Sequence, residues 1–154
     1  MGRAAQPGLP SALIRSATAE DAFGLSELLG ILGYPCPPEE AGGRVLAVRD
    51  DGNQTLLVAD VAGGLLGLIC CDLSYYLPLG ARTCRITALA VTAGAQRRGI
   101  GRLLLREAET LARAAGAVRI ELTSASQRQD AHAFYRACGY GDGALRFVKR
   151  LGGA

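Results

Sequence analysis

The chain has 154 residues, 49% of them hydrophobic and 20% charged, with a formal net charge of +3, which predicts one globular domain with its own core. So small a net charge gives no reason to expect a nucleic-acid partner, and no apolar run approaches the roughly 18 residues of a membrane-spanning helix. Five cysteines without a CxxC pair and a single histidine give no set of zinc ligands, so we expect no metal site.

Residues 1–10 contain glycine, glutamine and prolines but not the apolar core of a signal peptide. We expect a disordered leader there, a single domain over residues 11–154 and a cytoplasmic location. Hydrophobic periodicity then predicts elements in the order β-α-α-β-β-β-α-β-α-β. The predicted strands span residues 12–15, 55–61, 65–73, 83–91 and 118–124, followed by one or two short antiparallel strands at 140 and 145–151. The predicted helices span residues 19–33, 39–48, 100–115 and 127–138.

Residues 86–106, ITALAVTAGAQRRGIGRLLLR, predict a buried strand, a turn rich in glycine and arginine, and the start of a long helix. Backbone N–H groups at a helix N-terminus favour an anion, and glycines let a phosphate approach them closely. Because Arg97, Arg98 and Arg102 add positive charge, the pattern indicates a phosphate or pyrophosphate site. A Walker loop would need a lysine here, and a dinucleotide fingerprint would have glycine at the position of Leu104, so a nucleotide-binding protein is the less favoured interpretation.

Gln96-x-x-Gly99-x-Gly101 after a buried strand resembles the acyl-CoA pyrophosphate loop of the GNAT superfamily of N-acetyltransferases. Residues 131–140, AHAFYRACGY, are similar to a late helix of that family. Together with the order of elements, the resemblance covers nearly all of residues 12–151. It implies an α/β (α+β) fold of one domain: a mixed, mostly antiparallel sheet with a parallel β-α-β core, splayed middle strands and helices on both faces.

The resemblance implies an enzyme that transfers an acetyl group from acetyl-CoA to the primary amine of a small molecule or peptide, by direct attack in a ternary complex. The main chain of the strand before the loop would pair with the pantetheine arm and polarise the acyl carbonyl, while the loop would bind the pyrophosphate. By this resemblance the cofactor-binding residues are Leu89, Ala90, Val91, Gln96, Arg97, Arg98, Gly99, Ile100, Gly101, Arg102, Ser126, Arg128 and Phe134. Arg128 stands where the family often has asparagine, so either a contact with the cofactor phosphates or simple solvation is left open.

Tyr135 is, by the same resemblance, the predicted catalytic residue. A phenol with a pKa near 10 stays protonated at neutral pH and can donate its proton to the departing CoA thiolate. From spacing alone, Tyr135 could equally be a core residue beside Ala131 and Phe134. His132, on the same helix, is either a surface residue or a functional contact.

No carboxylate lies in residues 85–89, on the strand before the loop, where the family often has its general base. The alternatives are a water chain, a carboxylate from elsewhere such as Asp72 or Glu121, or no base at all if the amine arrives neutral. Glu121, close to Arg119 in sequence, also predicts an ordinary surface ion pair.

The acceptor side is predicted to include Tyr34, Tyr75 and Tyr76, which could wall an amine pocket or pack against a second subunit in a homodimer. The expected partners are therefore acetyl-CoA and an amine, with no nucleic acid and no membrane, in a cytoplasmic bacterial enzyme. The alternative to an enzyme is a non-catalytic acyl-CoA-binding sensor or interaction module with the same fold. The missing carboxylate and asparagine favour that alternative, and Tyr135 disfavours it.

Overall fold

The computed structural model describes residues 12–62, 64–96, 98–124 and 129–152. The chain forms two compact units, Met1–Thr123 and Ser124–Ala154. The single domain predicted over residues 11–154 stays a prediction, and the leader predicted at residues 1–10 lies outside the described residues.

The first unit is built on a five-stranded sheet in the order β1-β2-β3-β4-β5. The first four strands pair antiparallel. The fifth strand, β5, pairs parallel with β4, and a helix connects these two strands in the chain. The strands are β1 Leu13–Ser16, β2 Gln54–Val61, β3 Gly64–Tyr76, β4 Ala81–Val91 and β5 Ile120–Leu122; the helices are α1 Ala22–Ile31, α2 Pro38–Asp50 and α3 Ile100–Ala114. The predicted mixed sheet with a parallel β-α-β core is confirmed.

The helices of this unit cover both faces of the sheet. Leu28 of α1 and Val45 of α2 pack with Leu68 of β3 in one core cluster. Gly67, the neighbour of Leu68, faces the other way, because a Cβ added there would lie 3.0 Å from Leu104 of α3. Successive residues of a strand point to opposite faces, so α1 and α2 lie on one face and α3 on the other.

The first helix begins at an ion-paired turn. The Thr18 N–H donates to Asp21 Oδ2 at 2.8 Å, which places the start where the sequence predicts it, although residues Ala19–Asp21 form a 3-10 turn and α1 begins at Ala22. The second helix, α2, is longer than predicted. Pro38 occupies its first position, where a missing N–H is harmless, and Gly42 and Gly43 do not interrupt it.

The second unit contains one helix, α4, Gln129–Ala137. Gly139 ends it with a φ of +94°, and the Tyr140 N–H donates back to the Tyr135 carbonyl at 3.0 Å. The strands predicted at 140 and 145–151 are wrong, because residues 140–152 are in neither a strand nor a helix. Leu145 and Phe147 are 84% and 90% exposed. Alternating apolar residues make a strand only where a partner edge accepts their backbone hydrogen bonds.

No helix within the described part of the chain is long and apolar enough to cross a membrane. All five cysteines are free thiols: Cys36, Cys70, Cys71 and Cys84 are buried, and Cys138 is half-buried.

Candidate active site

The strand β4 has a long free edge on one side. It pairs with β3 along most of its length, but with β5 at only three positions, the last of which is Ile86 opposite Leu122. Beyond Ile86, β4 continues to Val91 with no partner strand on that side among the described residues of the first unit. Such an edge presents N–H and C=O groups with which an extended ligand can pair.

One extra residue in β4 changes which groups face this edge. Ala88 pairs with Cys70 of β3 and Ile86 pairs with Cys71, so Thr87 has no partner in register. Its hydroxyl donates to the Cys70 carbonyl at 3.4 Å. A bulge of this kind reverses the alternation of the strand. Before Thr87, the even-numbered residues direct their backbone N–H and C=O groups toward β5. After Thr87, the odd-numbered residues direct theirs toward the free edge.

After the bulge, the backbone groups of Leu89 and Val91 face the free edge. The Thr92 N–H donates to the Leu66 carbonyl of β3 at 2.8 Å. Because backbone groups of a strand alternate between its two edges, those of Leu89 and Val91 point away from β3. This placement suits the main-chain role predicted for both residues.

Gln96 and Ala90 behave differently from that pair. The Gln96 side-chain amide donates to the Val91 carbonyl at 3.3 Å, so the first residue of the loop motif holds the end of β4. Ala90 is 4% exposed and lies opposite Leu68. The alternation directs its backbone toward β3, so Ala90 is a sheet residue rather than a donor at the free edge.

The free edge leads directly into the N-terminus of α3. Gly99 has a φ of +87° and serves as the N-cap residue, and the Leu103 N–H donates to its carbonyl at 2.9 Å. The amides of residues 99–102 have no backbone acceptor among the described residues. Free amides at a helix start carry partial positive charge, so this turn can hold an anionic group.

The charges predicted around the turn are placed there in part. Arg98 and Arg102 are exposed, and Ile100 between them is buried at 4% exposure and fixes the turn to the core. Gly101 is half-buried in the first turn of α3. Arg97 lies outside the described residues.

Gly67, which the sequence analysis did not single out, lets α3 approach the sheet. A Cβ at this position would lie 2.9 Å from the Ala90 carbonyl, 3.0 Å from Leu104 Cδ1 and 3.2 Å from Ile100 Cγ2. A glycine inside a strand is a signal of such an approach. It positions the first turn of α3 next to the end of β4.

The predicted proton donor, Tyr135, lies in the second unit on α4. Its ring packs between Phe134, at 5.4 Å between centroids, and Tyr140, at 6.3 Å. Phe134, Tyr135 and His132 are half-buried. Ser126 and Arg128 lie outside the described residues.

The three tyrosines predicted on the acceptor side are exposed. Tyr34 follows α1 and is 71% exposed, while Tyr75 and Tyr76 end β3 at 66% and 38%. The Arg119 guanidinium lies over the Tyr76 ring, 4.9 Å from its centroid. The structure thus gives Tyr76 a cation–π partner and places no ring of this group against Tyr34 among the described residues.

The two carboxylates considered as bases have different surroundings. Glu121 is paired with Arg119 at 3.6 Å, with both side chains more than 40% exposed, which confirms the predicted ion pair. Asp72 is half-buried on β3. Burial, the largest cause, raises the pKa of the Cys70 thiol, and the nearby negative charge of Asp72 raises it further.

A model of the Acetyltransferase (GNAT) family matches residues 26–140 of the chain. An aminoalkylphosphonate N-acetyltransferase from Salmonella typhimurium is 30% identical over 148 residues, which cover 93% of this chain and 94% of that protein.

Solved structures agree with this match. A transcriptional regulator from Bacillus halodurans C-125 superposes with a TM-score of 0.83 and 26% identity over 91% of this chain and 99% of its own. A GNAT family acetyltransferase from Staphylococcus aureus has a TM-score of 0.79 and 21% identity over 92% and 100% of the two chains. The second likeness shows the fold.

Proposed function

The chain belongs to the acetyltransferase (GNAT) family, and from this premise we propose that it transfers an acetyl group from acetyl-CoA to a primary amine. One observation supports the proposal most: the free edge of β4 runs into the open N-terminus of α3. The first can pair with the amides of a pantetheine arm, and the second can hold a pyrophosphate. The two sites are continuous, as one extended ligand requires.

In this proposal, acetyl-CoA is a substrate that the main chain holds. The backbone of Leu89 and Val91 pairs with the pantetheine, and an N–H at this edge points at the thioester oxygen. A preorganised main-chain donor aimed at a developing oxyanion lowers the barrier by about 3 kcal/mol. Arg98 and Arg102 neutralise the pyrophosphate charge beside the amides of residues 99–102.

The acceptor amine attacks the thioester carbon directly. A C–N bond forms, the C–S bond breaks, and the amine loses one proton while the CoA sulfur gains one. An acyl-enzyme would need an accessible thiolate, but Cys70, Cys71 and Cys84 are buried, and burial raises the pKa of the Cys70 thiol. Tyr135 supplies the proton to sulfur, and water accepts the proton from the amine.

The Salmonella relative suggests which acceptor to test first. Its name specifies aminoalkylphosphonates, small molecules that carry an amine and a phosphonate. We propose this class for the present chain because the identity spans 93% of it. The expected substrate is therefore a small zwitterionic amine, rather than a peptide.

Acetyl-CoA binding tests the donor site, with Gly99 as the target. Calorimetric titration should detect binding to the wild type, weakening at least tenfold more in Gly99→Asp than in Gly99→Asn. Both replacements tolerate positive φ better than most residues, and they differ mainly in charge. Equal affinities in the two variants, or no binding to a folded wild type, would contradict the proposed pyrophosphate site.

A sensor or interaction module with the same fold is the second candidate function. It is favoured by the similarity to a solved structure named as a transcriptional regulator. Both functions predict acetyl-CoA binding, so turnover separates them. Release of free thiol from acetyl-CoA upon addition of 2-aminoethylphosphonate supports the enzyme, and its absence in protein that binds acetyl-CoA supports the sensor.

A further inference from the structure

Three charged residues form one row across the sheet, just before the free edge of β4 begins. Asp72 of β3 lies opposite Arg85 of β4, and Arg85 lies opposite Glu121 of β5. Residues opposite one another in neighbouring strands share a face, with their backbones about 5 Å apart. Arg85 therefore stands between two carboxylates.

This row lies on the face that carries α1 and α2, at the point where the helices no longer cover it. Leu68 of β3 packs in the core with those helices, and the alternation of β3 puts Asp72 on the same face as Leu68. Ala88 is half-buried against the helices, whereas Thr87 and Arg85 are exposed. Solvent thus reaches the sheet beside the place where β4 and β5 separate.

The guanidinium of Arg85 is uncommitted, in contrast to those of Arg15 and Arg119 on the same sheet. Arg15 binds Asp21 and Asp60, and Arg119 binds Glu121 and covers Tyr76. Arg85 makes no hydrogen bond or ion pair within 4.0 Å to any other residue that the structure describes. An arginine guanidinium offers a planar fork of donors that matches the oxygens of a phosphonate.

We propose that Arg85 selects the acceptor, its guanidinium binding the phosphonate of a zwitterionic amine that enters beside the free edge of β4. This inference rests on the proposed function and names the residue that would recognise its acceptor. Asp72 and Glu121 disfavour a lone anion at Arg85, and they favour a ligand that brings its own positive charge. We therefore expect inorganic phosphate to bind only weakly at this row of three residues.

The spacing along β4 suits a short acceptor. Leu89 lies four residues beyond Arg85, but Thr87 is the extra residue of the bulge, and the partners Asp72 and Ile69 on β3 are three residues apart. The span is therefore about 10 Å along the strand. It fits an amine in contact with the thioester carbon, at about 3–3.5 Å, joined by two methylenes to a phosphonate that contacts the guanidinium.

Binding and turnover are measured separately on wild type, Arg85→Gln and Arg113→Gln. Arg113 is an exposed arginine in the last turn of α3, so its replacement removes the same charge elsewhere. Calorimetry with 2-aminoethylphosphonate in the presence of CoA should show affinity about 10- to 100-fold weaker in Arg85→Gln, and unchanged within about twofold in Arg113→Gln. Propylamine, which lacks the phosphonate, should lose no kcat/KM in either variant.

Each outcome decides one of the two proposals. Wild type that does not bind 2-aminoethylphosphonate, or binds it as tightly as Arg85→Gln does, overturns the role of Arg85. Selective loss in Arg85→Gln supports that role even if no acetyl group is transferred. Turnover tests the proposed function: wild type that binds both ligands without releasing thiol contradicts the enzyme and leaves the role of Arg85 standing.

Discussion

Thr87 is one residue, yet it determines which amides β4 offers to a ligand. Before the bulge, the Cys84 N–H donates to the carbonyl of Arg119, the residue that precedes β5, at 2.8 Å. After it, the Thr92 N–H donates to β3, so the alternation has been reversed by one position. If β4 ran on in regular register through Thr87, with no bulge, the groups facing the free edge would be those of Ala88 and Ala90, whose side chains pack in the helix core.

The proposed role of Tyr135 is also that of a single side chain, and it is chemical rather than structural. Replacement by phenylalanine keeps the ring that packs on Phe134 and Tyr140 but removes the proton. Since general acid catalysis contributes about 10²–10⁴-fold, kcat should fall by about that factor in Tyr135→Phe, with acetyl-CoA affinity unchanged. Steady-state kinetics and calorimetry measure the two quantities.

Tyr140→Phe is the matched control, because it removes a neighbouring phenol from the same unit. A loss of kcat in Tyr140→Phe as large as in Tyr135→Phe would show that the hydroxyls act on packing. An unchanged kcat in Tyr135→Phe would remove the residue from the proton path.

At the scale of elements, the site depends on the distance between α3 and β3, which Gly67 sets. Gly67→Ala puts a Cβ within 3.0 Å of the Ala90 carbonyl and against Leu104, so α3 must shift. Overpacking of this kind costs about 1–3 kcal/mol, and we expect a lower melting temperature together with weaker acetyl-CoA binding. Thermal unfolding and calorimetry check both effects.

Gly64→Ala provides the comparison, since a Cβ there meets only the Val61 carbonyl at an ordinary 3.7 Å. Its stability should stay within about 0.5 kcal/mol of wild type. If Gly67→Ala were as stable as Gly64→Ala and bound acetyl-CoA normally, the close approach would not position the turn.

Local pattern was enough to predict the strand, turn and helix of residues 86–106, because their signals are contiguous in sequence. Register was not predictable: the pairing of Asp72, Arg85 and Glu121 depends on three strands and on the bulge at Thr87. The closing strands failed for a related reason. Their alternation is a local property, whereas a strand also needs the backbone of a partner strand, and residues 140–152 form no strand.

At the scale of the whole first unit, a partly buried ion cluster joins β1, β2 and the start of α1. Arg15 donates two hydrogen bonds to the Asp21 carboxylate, at 2.7 and 2.8 Å, and one to Asp60 at 3.1 Å. The Asp21 side chain is only 9% exposed. The hydrogen bonds from Arg15 hold the pKa of Asp21 below its usual value.

This lowered pKa makes the stability of the protein depend on pH. The carboxylate of Asp21 stabilises the folded state above its unfolded pKa of about 3.9, and this contribution is lost as pH falls through the lower folded pKa. Asp21→Asn should therefore cost about 1–3 kcal/mol at pH 7, with the difference from wild type shrinking below about pH 4. Urea unfolding at pH 7 and at pH 3 measures the cost of Asp21→Asn.

Glu40→Gln, which removes an exposed carboxylate 3.6 Å from Arg44, should change stability by less than about 0.5 kcal/mol at either pH. A cost of Asp21→Asn that is the same at pH 7 and pH 3 would mean that packing, and not the charge of Asp21, joins the strands to the helix.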